Sequence, residues 1–457
     1  MKVPSGMFKT SGDALRAFGL ALLFVSAMPA RADPVDTYIR TEMKNQHLPG
    51  LALAVIRADK PPMIRTYGES NLELHTPVTQ ETVFRLASLG KQMLSVGLML
   101  LVNDGKLRLD DPVSRFLPDT PPSWSGITVR QVLNHTAGFP AEAPGFDPRV
   151  ANDNLDLIRT AYAVPLLSKP GEGFVYSNLG YFVVAEIIHK SSGVPWPQFM
   201  TERVFRPLHM NATRLTDVID IVPNRASGYT FRDNVTKNVA PVIALRPSGP
   251  FLSTVTDMIK WDAGLRSLTL ITKGIQDEIS KTPTLPDGTN TGYGLGWRVD
   301  EVRGHRRIRH GGSQPGFRTE YTRFVDDQLS VIVLVNGESV RADDIALEVA
   351  SQFIEDLSPA RKTTAPSPQT LGLLAGRYQS LPATDFTIAA DGQGLSVQAT
   401  SGGAQFHLTA ETDSVYFLSK NESYVFTRDP GGAMQLEVRL GTATSPGATQ
   451  LEAVRAH

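Results

Sequence analysis

Short apolar runs alternate with longer mixed segments between residues 35 and 357. Residues 51–56 (LALAVI) and 329–335 (LSVIVLV) are apolar and partly β-branched, and each run predicts a strand. Pro61 and Pro62 follow the first run, and we expect them to break the strand pattern there. The two strands come from opposite ends of this segment, which suggests a sheet built from both ends and packed by helices.

The apolar positions between these strands favour helices. Residues 88–104 (SLGKQMLSVGLMLLVND) are apolar on most faces, which predicts a buried helix, and Gly105 is a suitable residue to end it. Further helices are predicted over residues 179–190 and 257–265, and a closing helix over residues 345–357. The order of elements therefore predicts an α+β segment.

The pattern changes after residue 357. Residues 358–370 (SPARKTTAPSPQT) are rich in Pro, Ser and Thr, and this composition predicts a linker. Short β-prone runs separated by Gly, Asp, Asn and Pro follow at residues 386–388, 395–398, 415–418, 424–426 and 435–438. They predict a small all-β domain over residues 371–457, either a barrel or a sandwich.

The N-terminus has the order of a secretory signal peptide. Three basic residues precede a short apolar stretch at residues 18–25, and Ala-Arg-Ala at residues 30–32 offers a signal-peptidase site. The apolar stretch is short for a membrane span, although an uncleaved anchor is the alternative. We expect the chain to be cut after Ala32, which removes residues 1–32. The mature chain would be periplasmic or secreted and would have no transmembrane segment. Its first domain would cover residues 33–357.

Composition removes several kinds of function. The chain has no cysteine, which excludes a thiol nucleophile, a thiolate metal site and disulfides. Its formal net charge of -1, without a long run of one sign, gives no electrostatic support for a nucleic-acid partner. No His-Glu-x-x-His zinc motif or Gly-x-Ser-x-Gly elbow is present, and we expect no metal and no other cofactor.

The first candidates for chemistry are Ser88 and Lys91. A serine hydroxyl becomes an effective nucleophile only when a neighbouring group takes its proton. If Ser88 opens the predicted helix, Lys91 lies one turn later on the same face, and a buried lysine can lose its charge and act as a base. The helix N-terminus also favours a developing oxyanion. Because this spacing occurs by chance, the pair alone does not establish an active site.

The second motif contains Tyr176 and Asn178, just before an apolar helix. Side chains at such a junction can project into a cleft. A phenol with a lowered pKa can act as a general base, and a carboxamide offers a donor and an acceptor to an acyl substrate. A packed tyrosine and a helix-capping asparagine are the structural alternative.

The third motif is Arg-His-Gly-Gly-Ser at residues 309–313. Its glycines allow the backbone to approach a ligand closely. The backbone N–H groups of Ser313 and Ser88 are candidate oxyanion donors, and His310 is a candidate hydrogen-bond donor or titratable group. A glycine turn with an exposed histidine is the alternative.

In this order, Ser-x-x-Lys, Tyr-x-Asn and His-Gly-Gly resemble the motifs of the penicillin-recognising serine hydrolases, which include class C β-lactamases, D-Ala-D-Ala carboxypeptidases, D-aminopeptidases and esterases. Stretches at residues 109–118, 127–138, 292–297 and 315–317 are similar to the framework of that family. The resemblance implies a β-lactamase/transpeptidase-like domain, with an antiparallel sheet flanked by helices and a helical subdomain. Residues 374–378 (LAGRY) are similar to the start of a C-terminal β-barrel in some members.

The resemblance also implies roles for the site residues. Ser88 would be acylated, and Lys91 and Tyr176 would share the general-base work, in an order that stays open. The implied substrate-binding residues are Asn178, His310, Gly312 and Ser313. β-Lactamases usually have a lysine where this chain has His310, and a histidine is only partly charged at neutral pH. We therefore expect weak β-lactamase activity at most, and hydrolysis of a D-amino-acid peptide or a small ester.

Two other functions stay open at this point. One is an efficient class C-like β-lactamase. The other is a non-catalytic protein that binds peptidoglycan fragments, although such a protein has no need of a proton-transfer pair. In each case the expected partner is a small molecule or peptide, with peptidoglycan-derived peptides among the candidates, and the sequence does not indicate an oligomeric state.

Overall fold

The computed structural model describes residues 33–147, 150, 153–215, 220–240, 246–355, 357, 363–380, 385–390, 394–399, 405–419, 422–440 and 449–455. The predicted signal peptide and residues 358–362 of the predicted linker lie outside these ranges. Within them, no helix has the length and apolar character needed to cross a membrane.

An antiparallel sheet organises the N-terminal three quarters of the chain. The strands before residue 340 are, in chain order, β1 (Gly50–Arg57), β2 (Lys60–Asn71), β3 (Thr76–Pro77), β4 (Phe84–Arg85), β5 (Arg214–Leu215), β6 (Tyr229–Arg232), β7 (Val235–Asn238), β8 (Phe251–Ser253), β9 (Arg298–Val302), β10 (His305–Gln314), β11 (Phe317–Phe324) and β12 (Leu329–Val335). Among the described residues, seven of them pair in the order β3-β2-β1-β12-β11-β10-β9. Leu51 in β1 lies opposite Val335 in β12, so the predicted sheet from both ends of the segment is confirmed.

Helices cover this sheet. They are α1 (Pro34–Asn45), α2 (Gly90–Asn103), α3 (Val129–Leu133), α4 (Asn154–Thr160), α5 (Asn178–Ser192), α6 (Trp196–Met200), α7 (Val255–Arg266), α8 (Lys273–Ile279) and α9 (Ala342–Ala350). The predicted buried helix is α2, and Gly105 follows it with a φ of 69°. The predicted closing helix is too long, because α9 ends at Ala350. Ile354 and Leu357 lie beyond α9 in irregular backbone, and their side chains pack in the same apolar cluster as those of α9.

The prediction that Pro61 and Pro62 interrupt the strand is wrong, since both lie inside β2. The pairing register shifts here, because Lys60 lies opposite Arg57 while Met63 lies opposite Val55. Both prolines are exposed at this bulge near the start of the strand. Such a position tolerates proline, since its missing N–H removes no ladder hydrogen bond.

Alternation along the central strands places apolar side chains on both faces of the sheet. Leu51, Leu53 and Val55 belong to one buried cluster, together with residues of α1 and α9. The intervening residues Ala52 and Ala54 belong to a larger cluster that includes α2, α5 and α7. Side chains in a strand alternate between faces, so a continuous apolar run such as β1 must be buried on both.

The C-terminal segment forms a closed antiparallel barrel, as the all-β prediction allowed. A short helix, α10 (Pro368–Leu374), precedes β13 (Gly376–Ser380), β14 (Phe386–Ala390), β15 (Leu395–Ala399), β16 (Gln405–Ala410), β17 (Val415–Ser419), β18 (Glu422–Arg428), β19 (Met434–Leu440) and β20 (Thr449–Arg455). The β-prone runs predicted five of these strands, while β13, β16 and β20 were not predicted. A buried aromatic and aliphatic cluster, including Tyr378, Tyr416 and Phe426, forms the core of the barrel.

Candidate active site

Ser88 lies in a 3₁₀ turn, Ala87–Leu89, that leads directly into α2. Ala87 has a φ of 51°, a left-handed conformation that costs a residue with a Cβ atom about 1–2 kcal/mol. Two glycine backbones hold the turn. A Cβ on Gly249 would lie 2.8 Å from the Ala87 carbonyl carbon, and one on Gly312 would lie 2.1 Å from the Leu86 oxygen. Strain held in place by such packing is typical of functional sites.

Lys91 lies one turn after Ser88 and is fully buried. Its Nζ atom is 3.1 Å from Ser88 Oγ, 2.9 Å from Asn178 Oδ1 and 2.7 Å from the backbone oxygen of Ser248. Burial holds the pKa of Lys91 well below its ordinary value, and nearby Arg246 and Arg298 lower it further while Glu142 opposes them. The local environment therefore favours a neutral amine beside the serine hydroxyl.

Tyr176 lies beside the same two residues. Lys91 Nζ is 4.8 Å from the centroid of the Tyr176 ring, and the Tyr176 and Ser88 hydroxyls are hydrogen-bonded to each other. Burial raises the pKa of Tyr176 to about 12, although the Ser88 contact and the positive charges of Arg298 and Arg246 oppose this effect. The phenol therefore keeps its proton at neutral pH, in contrast to the lowered pKa that a phenolic base requires.

Asn178 is the first residue of α5, and the helix cap is its neighbour Ser177, whose Oγ accepts a hydrogen bond from the Gly180 N–H. The Asn178 side chain is thus free of capping and bridges the site. Its Oδ1 accepts from Lys91, and its Nδ2 donates to Glu142 Oε2 at 3.2 Å.

The third motif lies on β10, next to the turn that carries Ser88. Gly312 packs against that turn, because a Cβ there would lie 3.1 Å from Ala87 Cβ. On the other strand, the same Cβ would lie 2.3 Å from Thr319 Oγ1 of β11. Ser313 is the next residue along β10 and is exposed. The structure thus brings Ser88, Lys91, Tyr176, Asn178 and Gly312 together, and Ser313 follows Gly312 on β10.

His310 is also present, but as a buried and fully paired residue. Its Nδ1 donates to the Gly311 oxygen at 2.7 Å, so its Nε2 accepts from the Tyr293 hydroxyl at 2.8 Å. Burial holds the pKa of His310 well below its ordinary value, and the positive charge of nearby Arg298 lowers it further. His310 is therefore neutral and supplies no cation for a substrate.

His135, which we regarded as framework, packs behind the site. The centroids of the His135 and Tyr176 rings are 4.4 Å apart, and His135 Nδ1 accepts a hydrogen bond from the Ser177 N–H at 3.1 Å. Burial keeps the pKa of His135 well below its ordinary value. A neutral, buried imidazole in this position orients the loop that carries Tyr176.

Arg298 offers the positive charge that the neutral His310 does not supply. Arg298 is exposed at the start of β9, with its Cζ 6.0 Å from the Tyr176 ring centroid and 5.9 Å from that of Tyr293. It forms no ion pair with any other described residue. An exposed, unpaired guanidinium near the mouth of the site is suited to bind a carboxylate.

Sequence reasoning missed Glu142, Arg246, Ser248, Tyr293 and Arg298. The first three lie in irregular segments that meet only in the folded chain, and no local motif marks them. Tyr293 belongs to the stretch at residues 292–297 that is similar to the family framework, and Arg298 follows this stretch directly. A charged residue beside a framework stretch was the one available signal.

The chain is similar to known proteins over much of its length. The family model described as Beta-lactamase matches residues 35–352. Penicillin-binding protein 4* of Bacillus subtilis is 28% identical over 310 residues, covering 63% of this chain and 68% of the relative. A Beta-lactamase of Escherichia coli is 29% identical over 299 residues, covering 64% of this chain and 77% of the relative.

Solved structures share the fold. The octameric penicillin-binding protein homologue from Pyrococcus abyssi superposes with a TM-score of 0.67 at 22% identity, covering 92% of this chain and 99% of that one. The D-amino acid amidase from Ochrobactrum anthropi complexed with D-phenylalanine gives a TM-score of 0.62 at 22% identity, covering 70% and 99%. Because the family model matches most of this chain, the chain belongs to the beta-lactamase family of penicillin-recognising serine hydrolases.

Proposed function

We propose that this chain is an exported serine hydrolase that forms an acyl-enzyme at Ser88. Its substrates are amides or esters, either D-amino-acid peptides or small esters, and its β-lactamase activity is weak at most. The observation that carries the proposal is the buried amine of Lys91, 3.1 Å from Ser88 Oγ, in an environment that disfavours its charge.

Lys91 is the base in this proposal. A neutral amine can take the Ser88 proton as Oγ attacks the acyl carbon, whereas Tyr176 is protonated at neutral pH and cannot. The N–H groups of Ser88 and Ser313 stabilise the resulting oxyanion.

Tyr176 serves as the relay. Its hydroxyl passes a proton to the leaving nitrogen or oxygen as the acyl bond to that atom breaks, and Lys91 restores the Tyr176 proton. Water then attacks the Ser88 ester, with the same groups moving the protons in reverse. Asn178 binds the acyl side of the substrate through a hydrogen bond from or to its carboxamide.

The charges around the site support a carboxylate-bearing substrate whose carboxylate binds at Arg298 and not at the third motif. His310 is neutral, and its ring nitrogens are occupied by Tyr293 and Gly311. Arg298 is an exposed cation near Tyr176, and it lies on the neighbouring strand β9. Because this cation is displaced from the third motif, a flexible peptide fits the arrangement better than a rigid β-lactam. The shared fold of the D-amino acid amidase supports the amide class.

The export part of the proposal is supported by the signal-like order of residues 1–32, a segment of basic residues, apolar residues and Ala-Arg-Ala. A hydrolase placed outside the cytoplasm would meet peptidoglycan-derived peptides directly. N-terminal sequencing of the protein recovered from the periplasm or medium tests this part, and the expected first residue is Asp33. A first residue of Met1 on a membrane-bound chain would contradict it.

The reaction is tested by kcat/KM on three substrates: a p-nitrophenyl short-chain ester, a D-Ala-terminated peptide and a chromogenic cephalosporin. We expect turnover of the ester or the peptide, slow turnover of the cephalosporin, and no turnover by Ser88→Ala. Equal rates for Ser88→Ala and the wild type would refute the role of Ser88.

The same experiment decides the alternative of an efficient β-lactamase, which the similarity to the Escherichia coli Beta-lactamase favours. A cephalosporin kcat/KM in the upper range for enzymes, about 10⁷ to 10⁸ M⁻¹s⁻¹, would establish it. A stable adduct at Ser88 that never turns over would instead favour the peptidoglycan-fragment binding protein.

A further inference from the structure

Two charged residues meet beside Asn178 without touching Ser88. Glu142 lies in the segment before α4, and Arg246 lies in the segment before β8. Their side chains form an ion pair, and Arg246 Cζ also lies 4.6 Å from the centroid of the Phe146 ring. Neither residue belongs to the three motifs, and the reaction proposed above makes no use of them.

The pair determines which way the Asn178 carboxamide faces. An ionised carboxylate can only accept hydrogen bonds, so Asn178 must direct its Nδ2 donor toward Glu142. Asn178 Oδ1 is then left facing Lys91 Nζ, 2.9 Å away. If the carboxamide were reversed, two donors would face the lysine amine instead.

The pair also holds the second acceptor of Lys91. Arg246 Nε donates to Ser248 Oγ at 2.7 Å, while the Ser248 backbone oxygen accepts from Lys91 Nζ at 2.7 Å. Lys91, Asn178, Glu142, Arg246 and Ser248 therefore form a closed ring of polar contacts. Ser248 itself is buried, so water does not readily replace these contacts.

This ring aims the lone pair of a neutral lysine. A neutral amine has two N–H donors and one lone pair. With the two donors on Asn178 Oδ1 and the Ser248 oxygen, the lone pair is left for the third neighbour, Ser88 Oγ at 3.1 Å. A base must face the proton that it takes, so the direction of this lone pair bears directly on rate.

We propose that Glu142 and Arg246 are positioning residues, which act through Asn178 and Ser248 to hold the Lys91 amine with its lone pair toward Ser88. The inference rests on the proposed acylation of Ser88, with Lys91 as the base. It adds a role for an ion pair outside the three motifs, contributed by two separate segments of the chain.

The two members of the pair also act on the charge of Lys91 in opposite directions. Glu142 raises the pKa of Lys91, and Arg246 lowers it. The other titratable or charged groups around this amine are Tyr176, Tyr181, Arg298, His135 and His310. Because those groups remain unchanged in a variant of the pair, Glu142→Gln should lower the pKa of Lys91 and Arg246→Met should raise it.

The test compares Glu142→Gln and Arg246→Met in the full mature chain. We expect each to reduce kcat by about tenfold or more with a smaller effect on KM, since a misdirected base slows the chemical step. The Lys91 Nζ resonance, titrated by nitrogen NMR, should show a lower pKa in Glu142→Gln and a higher one in Arg246→Met. The acid limb of the kcat/KM profile should move in the same two directions.

Asp104 and Arg203 provide a matched control. They form an ion pair with an N–O distance of 2.9 Å, and Arg203 Cζ lies 5.6 Å from the Phe199 ring centroid. Asp104 lies at the far end of α2, about 20 Å along the helix from Lys91. Asp104→Asn and Arg203→Met should leave kcat and both pH measurements unchanged.

The outcomes separate this proposal from the one it rests on. Turnover in Ser88→Ala equal to wild type would refute the proposed acylation, whatever the NMR titrations show. Wild-type turnover that depends on Ser88, with an unchanged kcat in both pair variants, would overturn the positioning role. Lys91 pKa values that move in the same direction in both variants would also overturn it. Thermal unfolding of each variant establishes that a lost kcat is not a lost fold.

Discussion

Glu320 is a buried carboxyl that makes the stability of the hydrolase domain depend on pH. It lies on β11 opposite Gly311, on the face of the sheet covered by α9. Burial raises its pKa to about 7 despite the positive charge of Arg309, and the negative charge of Asp343 adds to the increase. Thr322 donates a hydrogen bond to its Oε1 at 2.8 Å. Glu320→Gln keeps the shape and removes the titration.

The sign and size of the effect follow from linkage. The ordinary pKa of this group is 4.5, so between pH 4.5 and about 7 the folded protein holds a proton that the unfolded chain has released. The free energy of unfolding therefore falls as pH rises through this window. One pKa unit corresponds to about 1.36 kcal/mol, so the whole difference is about 3 kcal/mol, most of it between pH 4.5 and about 7.

Denaturation by urea, followed by tryptophan fluorescence, measures this effect. The four tryptophans of the chain all precede residue 340, so the signal reports the sheet-and-helix domain and not the barrel. The wild type should lose about 3 kcal/mol of unfolding free energy relative to Glu320→Gln across the window. Asp343 does not affect this measurement, because its pKa is lowered to about 2 in the folded protein. Its contribution to the unfolding free energy is lost only at more acidic pH, where its carboxylate is protonated.

Exposed Glu301 on β9 supplies the control, because Glu301→Gln should keep the wild-type pH dependence. Parallel curves of unfolding free energy against pH for wild type and Glu320→Gln would show that Glu320 does not cause this pH dependence. A wild-type unfolding free energy that rises across the same window relative to Glu320→Gln would refute this role more strongly, since the sign would be reversed.

Three further predictions concern the active site. Gly312→Ala should lower kcat at least a hundredfold, because the added Cβ pushes β10 away from the Ser88 turn. A Cβ on Gly126 meets open space, so Gly126→Ala should keep the wild-type kcat, and equal kcat values for the two variants would contradict the packing of Gly312 on the turn. Tyr293→Phe should lower the unfolding free energy by about 1–3 kcal/mol because His310 Nε2 loses its donor, and an unchanged denaturation midpoint would show that the bond is not needed. Arg298→Met should reduce kcat/KM about tenfold for a carboxylate-bearing peptide and leave a neutral ester nearly unaffected; an equal loss on both substrates would exclude carboxylate binding.

Local spacing explains how much of the site could be predicted. Ser88 and Lys91 are three residues apart, a separation that a helical turn converts into a 3.1 Å contact. The strand predicted over residues 329–335 agrees with β12 because a continuous β-branched run has few alternatives. Such features depend on neighbours in sequence, so the sequence alone predicts them.

Other features depend on contacts that form only in the folded chain. Glu142 and Arg246 are 104 positions apart, and nothing near either residue indicates the other. The neutral state of His310 depends on burial that no periodicity predicts, and its Nε2 partner, Tyr293, lies 17 residues earlier. The prolines of β2 fit a strand only because the register shifts around them. Charge states and loop pairings therefore had to come from the structure.

Trapping the acyl group on the protein tests the proposed Ser88 acyl-enzyme most directly. The mature chain would be mixed with a p-nitrophenyl ester, quenched in acid during turnover and mapped by peptide mass spectrometry, with Ser88→Ala treated identically. We expect an added acyl mass on the peptide that contains Ser88 in the wild type, and none at that position in Ser88→Ala. Turnover without any acyl mass on the Ser88 peptide, or equal turnover by both proteins, would contradict the proposed acyl-enzyme.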